Sequence, residues 1–135
     1  MGLMRGRITV EEAKELIDPA ARERLLNQWE EPVVGDPFII FGQDEIHYYI
    51  KDNEIDEIEY RIYYTEDCVQ KSVAHDDCIP LLDVAQMIDV LSCDQHLQIQ
   101  SYGGGWLIIS DGLHLEETKD LCGTLWKMTK MLLNS

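Results

Sequence analysis

Glu45-Ile46-His47-Tyr48-Tyr49-Ile50-Lys51 and, after five intervening residues, Glu57-Ile58-Glu59-Tyr60-Arg61-Ile62-Tyr63-Tyr64 both alternate apolar with polar side chains. Successive side chains on a strand point to opposite faces, so a period of two reads as a half-buried β-strand. On the first strand Ile46, Tyr48 and Ile50 share one face, and Glu45, His47, Tyr49 and Lys51 the other. On the second, Ile58, Tyr60, Ile62 and Tyr64 oppose Glu57, Glu59, Arg61 and Tyr63. A loop at Asn53–Ile55 pairs Ile50 with Ile58, Tyr48 with Tyr60 and Ile46 with Ile62. It also sets Lys51 opposite Glu57 and His47 opposite Arg61 on the outer face. Only even shifts keep both apolar faces inside; an odd slip would turn one of them to solvent.

Working outward, Phe38-Ile39-Ile40-Phe41 is a continuous apolar run between Pro37 and Gly42 and reads as a strand covered on both faces, which extends the meander to residues 37–64. Upstream, Thr9 and Glu12 form a capping-box pattern leading into Val10–Ile17, and Asp18-Pro19 starts a second helix over 19–30. These make a helical pair within residues 1–31. Residues 65–79 lack a sustained period and read as a long loop or irregular strand. Pro80 then opens a helix over 80–92, with Leu81, Val84, Ala85, Ile88 and Leu91 on its apolar face. A hairpin over 96–110 turns at Gly103-Gly104-Gly105. The last helix covers 115–133, with Glu116 and Glu117 in its first turn and Gly123 costing it about 1 kcal/mol against Ala. The order ααβββαββα predicts one α+β domain over residues 1–135, a mostly antiparallel sheet backed by helices.

The chain has 135 residues, 45% hydrophobic and 27% charged, enough for a core. It carries 26 acidic against 11 basic residues, a net charge of −15. Residues 1–29 and 112–135 each sum to zero, so the excess lies in 30–111, where 18 acids meet only Lys51, Arg61 and Lys71. Such a chain is a poor direct binder of nucleic acid or anionic lipid, because phosphate neutralisation needs clustered Lys and Arg. No apolar run approaches the roughly 20 residues of a membrane span, and no signal-peptide core opens the chain, so a cytoplasmic location is expected.

The residues carry no recognisable catalytic motif. Cys68, Cys78, Cys93 and Cys122 contain no closely spaced pair of the structural-zinc type, and no acidic loop has EF-hand spacing. Cys68 with His75-x-x-Cys78, joined by His96, is the nearest approach to a metal set; four thiols packed as small hydrophobes is the simpler reading. The triple glycine lacks the helix and Gly-Lys-Ser/Thr ending of a phosphate loop. No catalytic residue, cofactor or metal is therefore assigned.

What remains is an acidic surface bearing aromatic side chains. The outer face of the hairpin offers Glu45, His47, Tyr49, Glu57, Glu59 and Tyr63, and its tip adds Asp52, Glu54 and Asp56. Carboxylates pair with Arg and Lys across an interface, and Tyr supplies contact area at low entropic cost. The expectation is a non-enzymatic inhibitor that fills the basic groove of a nucleic-acid-binding enzyme. By analogy of size and charge, it is of the DNA-mimic or anti-CRISPR type that phages and mobile elements encode. Alternatives are an immunity or antitoxin protein neutralising a basic toxin, a ligand- or metal-binding domain centred on the Cys68–Cys78 loop, and a scaffold whose charge serves solubility and whose Trp29, Trp106 and Trp126 serve packing or homodimerisation.

Overall fold

Caps and strand pairings, more than hydrophobic periodicity, set the element boundaries in the computed structural model, which describes residues 5–50, 61–93, 95–111 and 114–134. The elements are α1 (Val10–Ala13), α2 (Pro19–Asn27), β1 (Pro37–Ile40), β2 (His47–Tyr48), β3 (Arg61–Glu66), β4 (Val69–Ala74), β5 (Cys78–Pro80), α3 (Val84–Ser92), β6 (Leu97–Tyr102), β7 (Gly105–Ser110), β8 (His114–Thr118) and α4 (Leu121–Leu133). Every strand pairing among them is antiparallel, and the fold is α+β as its sequence predicts. Among the described residues no helix is long and apolar enough to cross a membrane. The chain groups into two compact units, Thr9–Leu81 and Met1–Ile8 with Leu82–Ser135.

In the Thr9–Leu81 unit, α1 begins at the capping box: the Glu12 amide donates to Thr9 Oγ1 at 3.1 Å and the Thr9 amide to Glu12 Oε1 at 3.0 Å. It stops at Ala13, short of the expected Ile17, and Asp18, which precedes Pro19, caps α2. The strands form a sheet ordered β2-β1-β5 and a hairpin β3-β4. Residues 65–79, expected as a long loop or an irregular strand, thus supply the end of β3, all of β4 and most of β5. Glu66 pairs with Val69 across the two-residue turn Asp67-Cys68, whose φ values of 53° and 63° are left-handed. The buried core gathers Leu26 in α2's last turn and Trp29 just after it, with Phe38, Ile62, Tyr64 and Cys78, and Ile40, Tyr49 and Val73 packed against it.

The second unit is built around β6-β7-β8, an antiparallel meander, with α3 and α4. Gly103 and Gly104 turn β6 into β7 with φ of 55° and 83°, the geometry of a tight hairpin that glycine adopts without strain. Two expected helix starts are displaced. Residues 78–80 pair with Phe38–Ile40, so Pro80 ends a strand, and α3 begins at the capping box of Asp83 and Gln86. Glu116 and Glu117 lie in β8, opposite Ile108 and Leu107, and α4 begins only at Asp120.

The start of α4 also explains Gly123. Arg5 Nε and Nη2 donate to the two Asp120 oxygens at 3.1 and 2.8 Å, and Asp120 Oδ1 accepts from the Gly123 amide at 3.1 Å. The Arg5 hydrogen bonds hold the Asp120 carboxyl below the usual range. A Cβ at Gly123 would collide with Asp120 Oδ2 and stand 2.8 Å from Arg5 Nη2. Helix propensity favours Gly123→Ala by about 1 kcal/mol, yet the variant should melt below wild type by thermal denaturation, because its methyl displaces the cap and its ion pair. Cys68→Gly should do the reverse, gaining about 1 kcal/mol in denaturant titration by relieving a left-handed residue.

Candidate functional site

Of the residues expected to form a binding face, Glu45, His47, Tyr49 and Tyr63 are described; His47 lies in β2 with Glu45 and Tyr49 beside it in sequence, and Tyr63 lies in β3. Their register differs from the expected one. The Ile50 amide donates to the Tyr63 carbonyl at 2.9 Å, making an antiparallel bridge of Ile50 with Tyr63. Relative to pairing Ile50 with Ile58, this is a shift of five, which is odd. The first strand's faces are consequently exchanged. His47 is buried at 3% exposure, whereas Ile46 and Tyr48 are 42% and 58% exposed.

Pairing to β1 locks this arrangement. Phe38 opposes His47 and Pro37 opposes Tyr48. The Tyr49 amide donates to the Asp36 carbonyl and its own carbonyl accepts from the Gly35 amide, each at 2.9 Å. Asp36 is itself anchored, since one carboxylate oxygen accepts from Trp29 Nε1 at 3.0 Å and from the Val33 amide at 2.9 Å. β3 meanwhile spends its ladder on β4, and Arg61 hydrogen-bonds Ser72 across that hairpin instead of opposing His47.

The expected site residues therefore separate. Glu45 is exposed as anticipated. His47 is corrected from outer face to interior, where its ring lies 4.3 Å from Tyr64 and 5.9 Å from Phe38. Tyr49 is likewise corrected from an exposed aromatic to a half-buried one packed on the core, and Tyr48 takes the exposed place. Tyr63 is half-buried beside Ile50. Asp52, Glu54, Asp56, Glu57 and Glu59 lie outside the described residues, as does the Lys51–Glu57 pairing.

Exchanging the faces also brings together a group that the sequence reading did not assemble. His47 Nε2 stands 3.8 Å from Glu66 Oε2, and donor atoms of Glu45, His47 and Glu66 all lie within 4.8 Å of one another. Lys71 Nζ donates to Glu66 Oε1 at 3.0 Å. That hydrogen bond, reinforced by the ammonium charge, holds the Glu66 carboxyl below its ordinary value and Lys71 above its own. Period two was the available signal, because Glu45 and His47 share a face in any register; the partner residue depended on the register itself.

The cysteine-centred alternative does not assemble. Cys68 is exposed in the β3–β4 turn, while Cys78 is buried with Sγ directed to the Ala74 carbonyl. Burial, with Asp77 and Asp76 adding to it, pushes the Cys78 thiol up to about 12, which leaves it neutral and a poor ligand or nucleophile. His75 stacks on Trp29 at 5.7 Å and makes a 2.9 Å hydrogen bond with the Trp29 carbonyl. It serves to close the end of α2.

No family model matches the chain, and neither a curated protein nor a solved structure shows significant similarity to it. The site stands on its own geometry.

The two faces can be told apart by truncation. Tyr48→Ala should change unfolding free energy by no more than about 0.5 kcal/mol. Tyr64→Ala, which empties the ring contacts to Phe38 and His47, should cost about 3 kcal/mol or more. Denaturant titration checks both, and the expected sequence register would have made Tyr48 costly too.

Proposed function

We propose that the protein is a non-enzymatic acidic inhibitor that binds a basic partner through its Thr9–Leu81 unit, filling a groove that otherwise takes nucleic-acid phosphates. The carrying observation is the segregation of charge. The Thr9–Leu81 unit contains 19 acidic and 6 basic residues, a net of −13, and the remainder of the chain nets −2 from 7 and 5. Charge needed only for solubility has no reason to collect in one unit; a field of one sign there steers encounter with a basic surface and orients it.

The described surface supports the same reading. Between Phe41 and Tyr48 the chain exposes Asp44 and Glu45 alongside Phe41, Ile46 and Tyr48, so carboxylates and large apolar side chains are offered together. Anchors of that kind give an interface its binding energy while surrounding charges set register and on-rate. The acids at 52, 54, 56, 57 and 59 extend the run in sequence. Phage or mobile-element origin, and mimicry of DNA in particular, are the form of this proposal that best suits so small and acidic a chain.

The test is capture from lysate on immobilised protein, elution with duplex DNA, and mass spectrometry of the eluate. A variant carrying Asp56→Lys, Glu57→Lys and Glu59→Lys is the control. A nucleic-acid-binding protein should be retained at about 50 mM salt, displaced by DNA, and lost both in the variant and at about 500 mM salt, where screening shortens the reach of exposed charges. Retention that survives both charge reversal and high salt would overturn the proposal, and so would the absence of any DNA-displaced protein.

A further inference from the structure

We propose that Glu45, His47 and Glu66 form a binding site for a divalent transition-metal ion of the zinc type, with Lys71 as the residue that positions the Glu66 carboxylate. The carboxylates alone would not carry this, since exposed acids are abundant in the chain. The independent observation is His47. Its side chain is 97% removed from solvent by the 3% exposure it retains, and its Nε2 has no hydrogen-bond partner. A buried polar atom without a partner costs free energy unless something occupies its lone pair or takes its proton.

That nitrogen is aimed at Glu66 Oε2, 3.8 Å away, which is too long for a hydrogen bond. It is close to the separation of two ligands that share a metal. With zinc bonds of about 2.0–2.1 Å, the edge of a tetrahedral site is about 3.3–3.4 Å. The three donor atoms, already within 4.8 Å of one another, need only contract around the ion. Tyr64 and Phe38 hold the imidazole ring from its sides. Lys71 occupies Glu66 Oε1 at 3.0 Å and leaves Oε2 for the ion, the role outer partners play in orienting metal ligands. Exposed Glu45 lies on the solvent side and provides the entry path.

The donor set selects the metal. An imidazole nitrogen with two carboxylates suits zinc and its first-row neighbours, whereas calcium and magnesium favour oxygen throughout. Neutral imidazole and two carboxylates carry a charge of −2, which a divalent ion cancels. Three protein donors leave a fourth position for water or an added ligand. The site shares Glu45 with the acidic surface proposed to meet a basic partner, but zinc binding is read without any partner, so either proposal can fail without the other.

Zinc titration by calorimetry tests this, using full-length protein in which Cys68→Ser and Cys93→Ser remove the exposed thiols. One zinc per chain should bind, and Glu45→Gln and Glu66→Gln should each weaken it about tenfold or more while keeping the wild-type circular dichroism spectrum. Because His47 is buried and its replacement endangers folding, the imidazole is followed by nitrogen-15 NMR in the unaltered ring, where Nε2 should shift on zinc addition. The proposal is overturned if no stoichiometric zinc binds, or if affinity is unchanged in both glutamine variants. An Nε2 signal that ignores zinc also overturns it.

Discussion

The Ile50 amide donates to the Tyr63 carbonyl, and the parity of that one pairing governs the Thr9–Leu81 unit. A strand has two faces and no intermediate setting. Once Ile50 is opposite Tyr63, Tyr49 falls on the side of Tyr64 and Ile62, and His47 on the side of Glu66. Phe38, paired with His47 from the other neighbour, faces the same interior. The aromatic cluster of Phe38, His47 and Tyr64 follows from this, and so does the exposure of Ile46 and Tyr48. The cost of exposing those two is offset by the burial of Phe38, Ile62 and Tyr64, which have 0%, 0% and 7% of their surface left in water.

Turning His47 inward creates an electrostatic obligation. A histidine among aromatic rings brings a polar nitrogen into a place with few partners, and Glu66 is the acid the register provides. Glu66 is shared, one oxygen toward Lys71 and the other toward His47. In a unit with a net charge of −13, several of the few described cations are committed locally: Lys71 to Glu66, Lys14 to Asp44, Arg22 over the Phe41 ring at 4.0 Å. The surplus of carboxylates is then left to face solvent, a partner or an ion. Both functional proposals grow from that surplus, one through its long-range field and the other through a single converging cluster.

The other unit solves a different problem, that of joining a short N-terminal segment to a distant helix end. Residues 5–8 lie along the start of α3, with the Ile8 amide on the Leu82 carbonyl at 3.0 Å and the Val84 amide on the Gly6 carbonyl at 2.9 Å. Arg5 then reaches Asp120 at the cap of α4. One carboxylate thus serves as helix cap and ion-pair partner at once, and only a residue without a side chain fits at position 123 beside it.

Several features were legible in the sequence because they depend on neighbours along the chain. The capping box at Thr9 and Glu12, the Asp18-Pro19 helix start and the glycine turn at 103–104 are local, and each appears where its residues place it. The apolar run 38–41 does so over 38–40, whereas Phe41, expected inside the covered strand, falls beyond β1 and is 55% exposed. The distribution of charge is sequence alone. What only the tertiary structure decided was pairing. Residues 69–74 and 78–80 have little pattern of their own and became strands because β3 and β1 offered them edges. Glu116 and Glu117 suit the first turn of a helix equally well, but β7 took them as a strand. Alternation identified the two faces of residues 45–50 without saying which was inner, since Ile46 with Tyr48 and His47 with Tyr49 are both able to pack. The choice rested on hydrogen bonds to residues 36–38 and 63, which lie far enough along the chain that no local rule reaches them.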